Sequence, residues 1–121
     1  MTGVQTCALP ISELLFQALN DPDSTGRIAA VNSMAANGAF RQDAEAISVL
    51  SQIAAKKGFW GVRTAALAAL GQGRSPVATD VLVSAARDAD WRVRRAAVLA
   101  LANYPQDSGA RTTVEIGRAH V

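Results

Sequence analysis

The chain of 121 residues has one cysteine, one histidine and few aromatic residues. The scarcity of cysteine and that of histidine each exclude a class of site. The single cysteine, Cys7, excludes an intrachain disulfide, and the single histidine, His120, excludes a metal site built on two histidines. No apolar run approaches the roughly 18 residues of a membrane-spanning helix, and the chain does not start with a secretory signal. The sequence therefore predicts a soluble domain with no membrane contact, no metal and no cofactor.

The charge of the chain is small and nearly balanced. It has 12 Lys and Arg against 10 Asp and Glu, a net charge of +2. Arg92, Arg94 and Arg95 beside Trp91 form the one basic cluster with an aromatic residue, but two aspartates adjoin it. We therefore expect no nucleic-acid partner. Nucleic-acid binding through this cluster is the alternative, and it would depend strongly on salt.

The two ends of the chain encode one another. Residues 6–11 can be encoded by ACG TGT GCT CTT CCG ATC, and the reverse complement, read one base out of register, encodes residues 116–121. The same string resembles a common short-read sequencing adapter. We therefore predict adapter-derived tails at 1–12 and 115–121 that take no part in the fold; a natural leader and a natural helix end are the alternative. Because the cysteine and the histidine lie in these tails, we expect no catalytic residue in the remainder.

A helical pattern recurs three times between the tails. Small and apolar residues repeat at i, i+3, i+4, i+7 and i+8, which places them on one face of a helix. The three matched sets are Gly26, Ala29, Ala30, Ser33 and Met34; Val62, Ala65, Ala66, Ala69 and Leu70; and Val93, Ala96, Ala97, Ala100 and Leu101. A second matched set precedes each of them: Leu14, Leu15, Ala18 and Leu19; Val49, Leu50, Ile53 and Ala54; and Val81, Leu82, Ala85 and Ala86. Each pair of sets predicts a helical hairpin, and the small residues allow close helix packing.

These hairpins predict an all-α fold, an α-solenoid of about three repeats. We place the repeats at about 13–37, 43–71 and 76–104, within a repeat region of 13–114. Aspartates in two of the turns offer helix caps, and Pro76 suits a first helical turn. Three hairpins are near the minimum for a solenoid, so we expect both end faces to expose apolar residues and the isolated chain to self-associate or to be marginally stable. The residues expected on these faces are Leu14, Leu15, Val98 and Leu101.

Arg27, Arg63 and Arg94 occupy one equivalent position, near the start of the second helix of each hairpin. We interpret them as a structural ladder in which each arginine binds turn carboxylates or the adjoining repeat. A row that binds phosphate or carboxylate ligands is the alternative.

Two tryptophans also occupy nearly equivalent positions. Trp60 and Trp91 lie at the turns into the second helices of the second and third hairpins. We expect them to cover the seams between repeats, with a ligand platform as the alternative. Together with Arg92 and Arg95 they form the candidate interaction surface, whose partner we expect to be a protein.

The second helices carry a motif that resembles a known repeat family. Val-Arg-x-Ala-Ala-x-x-Ala-Leu occurs as Val62 to Leu70 and again as Val93 to Leu101. It resembles the second helix of HEAT repeats, particularly the short bacterial type, and the resemblance covers residues 14–104. It implies a scaffold or adaptor and no activity of its own.

A narrower resemblance rests on three segments: Asp21-Pro22-Asp23, Gly26 to Ala30, and Phe59 to Ala66. Together they resemble the C-terminal helical region of bacterial zinc metallopeptidases of the aminopeptidase N type. In that family a His-Glu-x-x-His helix binds the zinc, and no residue of this chain matches it. The resemblance implies a non-catalytic fragment that packs against the catalytic domain of its parent. A stand-alone HEAT adaptor is the alternative.

Overall fold

The computed structural model describes residues 22–37, 44–55 and 58–119. Within these ranges the chain forms six α-helices and no strand: α1 (Ser24–Asn37), α2 (Ala44–Ala55), α3 (Trp60–Gly73), α4 (Thr79–Ala85), α5 (Trp91–Leu101) and α6 (Ser108–Ala119). A 3-10 turn, Pro76–Ala78, leads into α4. None of these helices is long and apolar enough to cross a bilayer. The predicted all-α fold is confirmed for this part of the chain, and the predicted first helix of the first hairpin lies outside it.

The described helices stack in two rows. In one row α1 contacts α3 and α3 contacts α5, whereas in the other α2 contacts α4 and α4 contacts α6. The rows are joined where α2 packs against α3, α4 against α5 and α5 against α6. This side-by-side packing of helical hairpins is the arrangement of an α-solenoid.

Local sequence explains where several helices begin and end. The Asp90 carboxylate caps α5, because its Oδ1 accepts a hydrogen bond of 2.9 Å from the backbone N–H of Arg92. In the same way Asp107 accepts a 2.8 Å bond from the N–H of Ala110 at the start of α6. Arg74 ends α3 with φ at 54°, a left-handed conformation that glycine more often supplies.

The core lies between the two rows and is centred on α3. Its largest fully buried side chains are Val31, Leu50, Leu67, Leu70, Leu82, Val93 and Leu101. Ala66 and Ala97 are also fully buried. A Cβ placed on Gly71 would lie 2.7 Å from the Cβ of Ala100, so α3 and α5 touch almost backbone to backbone. The small-residue stripe therefore allows the close helix packing that its spacing predicts.

The expectation that Leu101 is exposed on an end face is wrong, and the small-residue stripe of α1 lies partly at the surface. The stripe of α1 is not buried, because Ala29 and Ser33 are exposed and Ala30 is half-buried. Within the described residues α1 has a neighbour of its own row on one side only, whereas α3 has one on each side. Leu101 is 1% exposed rather than open to solvent, because α3 and α6 flank α5. Val98 is half-buried, and Leu14 and Leu15 lie outside the described residues.

Helix α6 is an element that the sequence analysis does not place. It begins after the last predicted repeat and runs through Glu115 into the segment assigned to a tail. Ala110 and Val114 of this helix are buried, and a Cβ on Gly117 would lie 2.7 Å from a methyl carbon of Val98. The expectation that the tail takes no part in packing is therefore wrong for Gly117. The proposed origin of these residues in adapter DNA stays a prediction.

Candidate interaction surface

Arg63 joins the second hairpin to the third. Its Nε donates to the carbonyl of Ala54 at the end of α2, at 3.1 Å. Its Nη1 and Nη2 donate to Oδ1 and Oδ2 of Asp88, at 3.3 and 2.5 Å, in the turn between α4 and α5. The two side chains are 12% and 20% exposed. We call this bidentate pair the Arg63–Asp88 clamp.

The clamp controls the charge state of its carboxylate. Hydrogen bonding from the Arg63 guanidinium holds the pKa of Asp88 below its usual value, and the backbone N–H of Asp90, at 2.9 Å from Oδ1, lowers this pKa further. Asp88 is therefore a deprotonated hydrogen-bond acceptor at neutral pH. Two donors with fixed geometry hold it in place.

The other two arginines of the predicted ladder make different contacts. Arg27 donates from Nη2 to the hydroxyl of Ser24 in its own hairpin, at 2.9 Å. Arg94 donates from Nη1 to the carbonyls of Asp88 and Ala89, at 2.8 and 3.0 Å, also in its own hairpin. No carboxylate in the described ranges forms an ion pair with Arg94. The described bonds of Arg63 therefore join two hairpins, whereas those of Arg94 lie within one hairpin.

The two tryptophans also differ in their surroundings. The Arg92 guanidinium lies 4.2 Å from the ring centroid of Trp60, a cation–π contact that crosses from α5 to α3. The same guanidinium donates to Asp90 at 3.0 and 3.1 Å. Trp60 is 36% exposed and lies at the α3–α5 seam, whereas Trp91 is 59% exposed.

A groove of about 570 Å³ lies between the end of α4, α5 and α6. We call it the C-terminal groove, and the side chains that matter here are Arg87, Trp91, Arg94, Arg95, Val98 and Ile116. It offers three guanidinium groups, an indole and two aliphatic side chains, and no described acidic residue lines it. The groove brings together Trp91 and Arg95 of the predicted surface, together with Arg94. It leaves out Trp60 and Arg92, which belong to the α3–α5 seam.

Sequence reasoning missed Arg87 and the whole α6 wall of this groove. Ala110 and Val114, four residues apart behind the capping Asp107, carry a helical signal of their own. They do not match the stripe of the second helices, because α6 lies in the row of first helices with α2 and α4.

The described residues contain no group of three or more His, Cys, Asp or Glu that could hold a metal ion. Each deeply buried side-chain nitrogen or oxygen among them has a hydrogen-bond partner. The groups that this surface presents are therefore cationic, aromatic and aliphatic side chains around α5.

Comparison with known proteins agrees with the stacked hairpins. No curated protein matches the chain. The family model for HEAT repeats matches residues 12–102, a span that includes α1 to α5 and both copies of the Val-Arg-x-Ala-Ala motif. This span is well over half of the chain. The chain therefore belongs to the HEAT repeat family, whose repeats serve as protein-interaction scaffolds.

Proposed function

We propose that the chain is a non-catalytic interaction segment from the C-terminal helical region of an aminopeptidase N-like zinc peptidase. The observation that carries the proposal is the resemblance of Phe59 to Ala66 to that region. In the structure this run makes contacts between hairpins: a Cβ on Gly61 would lie 3.0 Å from Ile28 of α1, and Arg63 clamps Asp88. Its protein partner is then the catalytic domain of the same parent chain.

The two carboxylates in the turn between α4 and α5 support a structural role rather than acid–base catalysis. Asp88 is bound by Arg63, and Asp90 is bound by the side chain and the backbone N–H of Arg92. These hydrogen bonds lower the pKa of both carboxyl groups. A general acid or base at neutral pH needs a pKa near the working pH, and both of these shifts move away from it.

A stand-alone HEAT adaptor is the second candidate, and the C-terminal groove favours it. The groove combines apolar and cationic side chains on one accessible face, which suits a protein partner with acidic groups. This role does not require an enzyme elsewhere in the parent chain.

Long-read sequencing of the same genomic locus separates the two candidates. If the parent is a peptidase, the open reading frame upstream of residue 13 encodes a His-Glu-x-x-His helix and a downstream glutamate. A complete frame without that motif overturns the parentage and leaves the adaptor.

The same reads test the adapter origin of the ends. We propose that residues 1–11 and 116–121 are encoded by ligated adapter, because one DNA string can encode residues 6–11 and its reverse complement, in a shifted frame, residues 116–121. Genomic sequence that encodes other residues at both ends is the expected result. Genomic sequence that encodes the same two segments overturns this proposal.

The non-catalytic assignment is tested on the chain itself. Purified chain is incubated with Zn²⁺ and a panel of aminoacyl 4-nitroanilides, and release of nitroaniline is followed by absorbance. We expect the rate to equal that of buffer with Zn²⁺. Saturable turnover that co-elutes with the chain in size-exclusion chromatography overturns the assignment.

A further inference from the structure

We propose that the C-terminal groove binds one amphipathic α-helix from a partner polypeptide. The helix is of the same type as α5, with a small-residue stripe, an acidic residue in the turn before it and an arginine in its first turn. This inference rests on the proposed role as an interaction segment, and it is independent of the peptidase parentage.

The register of the repeats identifies what the groove should receive. Trp91, Arg94 and Val98 on α5 stand 31 residues after Trp60, Arg63 and Leu67 on α3. These three positions of α3 form the surface on which the following turn and helix pack. The same surface on α5 forms the wall of the C-terminal groove.

On α3 each of the three positions is satisfied by the third hairpin. Arg63 holds the Asp88 carboxylate of the turn before α5, and Trp60 is covered by Arg92 from the first turn of α5. Leu67 is 0% exposed. An acidic turn, an arginine and a close-packing helix therefore complete the α3 surface.

On α5 only some of the equivalent contacts are formed. Arg94 binds carbonyls of its own turn, as Arg63 binds Ala54, but it pairs with no described carboxylate. Trp91 is more exposed than Trp60, and Val98 is half-buried where Leu67 is fully buried. The missing partners are those that a helix of the α5 type brings.

Charge and position support the same occupant. Arg87, Arg94 and Arg95 line the groove and no described acidic residue does, so an incoming acidic turn is electrostatically favoured. Arg87, Arg94 and Val98 precede the predicted tail, whereas Ile116 and Gly117, which also line the groove, lie within it.

The probe is a fluorescein-labelled peptide of residues 87–103, which contains the acidic turn, the arginine and the stripe of α5. Its binding to the full chain is followed by fluorescence anisotropy. We expect saturable binding that Arg94→Gln in the chain weakens about tenfold, as does Asp88→Asn in the peptide. Combining both changes should weaken binding no more than either alone, because they remove one shared contact. Arg111→Gln, an exposed arginine of α6 that does not line the groove, is the matched control and leaves the affinity unchanged.

Several results overturn the proposal. These are the absence of saturable binding up to about 1 mM peptide, equal binding of a scrambled peptide, and fully additive effects of the two substitutions. Coupling of the peptide aspartate to Arg63 rather than Arg94 would show that the peptide displaces α5. Self-association of the chain that Arg94→Gln abolishes would assign the groove to a second copy instead. None of these results bears on the reading frame upstream, so failure here and failure of the peptidase parentage are distinguishable.

Discussion

The seam between α3 and α5 and the seam between α1 and α3 occupy equivalent places in the repeat but are built differently. Across the α3–α5 seam run the Arg63–Asp88 clamp, the Arg92–Trp60 contact and the tight approach of Gly71 to Ala100. At the α1–α3 seam the tight approach at Gly61 is made by side-chain atoms, of which Ile28 Cδ1 is one. The first of these seams therefore depends on backbone fit and directed polar contacts.

The turns that follow Arg63 and Arg27 differ in their charged residues. Arg63 meets a turn with Asp88 and Asp90, whereas the turn after Arg27 has the sequence Lys56-Lys57-Gly58 and no carboxylate. The repeat position places an arginine at the start of each second helix. A clamp of the Arg63–Asp88 type also requires a carboxylate in the next turn.

We expect the largest effect from a substitution that prevents the close approach of α3 and α5. An added Cβ at Gly71 would lie 2.8 Å from the Cα of Ala100, so Gly71→Ala must separate two backbones. At Gly61 the added atom meets side-chain atoms of Phe59 and Ile28, which can rotate away. Both changes are Gly→Ala in one helix, so gains in helix propensity largely cancel. We expect Gly71→Ala to lower the free energy of unfolding by about 3 kcal/mol relative to Gly61→Ala.

Urea denaturation followed by circular dichroism measures both variants. Gly58→Ala adds a third reference, because nothing lies within 4 Å of its added Cβ. Equal loss at Gly71 and Gly61 would contradict the claim that the two seams differ in backbone fit.

The clamp gives the next largest effect. Arg63→Met keeps the length of the side chain but removes the guanidinium donors of the Asp88 carboxylate and the Ala54 carbonyl. We expect a loss of about 2 kcal/mol in the free energy of unfolding, because both partners are mostly buried. Arg94→Met, at the equivalent and exposed position, should cost about 0.5 kcal/mol or less. Equal losses in urea titrations would show that repeat position matters more than the partner.

Tyr104 offers a smaller test of the same seam. Its hydroxyl donates to the carbonyl of Leu70 near the end of α3, at 2.9 Å, and this hydrogen bond is buried. Tyr104→Phe keeps the ring and should cost about 1 kcal/mol. Ser51→Ala, which removes a hydroxyl bond inside α2, is the control and should change little. If Tyr104→Phe has the same melting temperature as the parent chain, water replaces the hydroxyl as the donor to Leu70.

The spacing of small and apolar residues predicts much of this fold, but it predicts individual side-chain contacts less well. The matched sets predict α1 to α5, because small and apolar residues at this spacing share one face of a helix. The same sets do not predict α6, which has no counterpart among second helices. Nor does the equivalence of Arg63 and Arg94 predict which of these two forms a clamp, since that depends on the turn that follows in the next hairpin.

The smallest expected effect is the pH dependence of the clamp. Because hydrogen bonds from Arg63 and the backbone hold the pKa of Asp88 below the value of about 3.9 in an unfolded chain, folding favours the deprotonated carboxylate. This stabilisation is complete above the unfolded pKa and is lost as the pH falls through the lower folded pKa. The free energy of unfolding should therefore decrease between about pH 5 and pH 2. The decrease should be smaller in Arg63→Met, whose clamp is absent, and a matching change in Asp88→Asn assigns it to this carboxylate. If the urea midpoints of both variants decrease with pH as much as that of the parent chain, ionisation of Asp88 does not stabilise the α3–α5 seam.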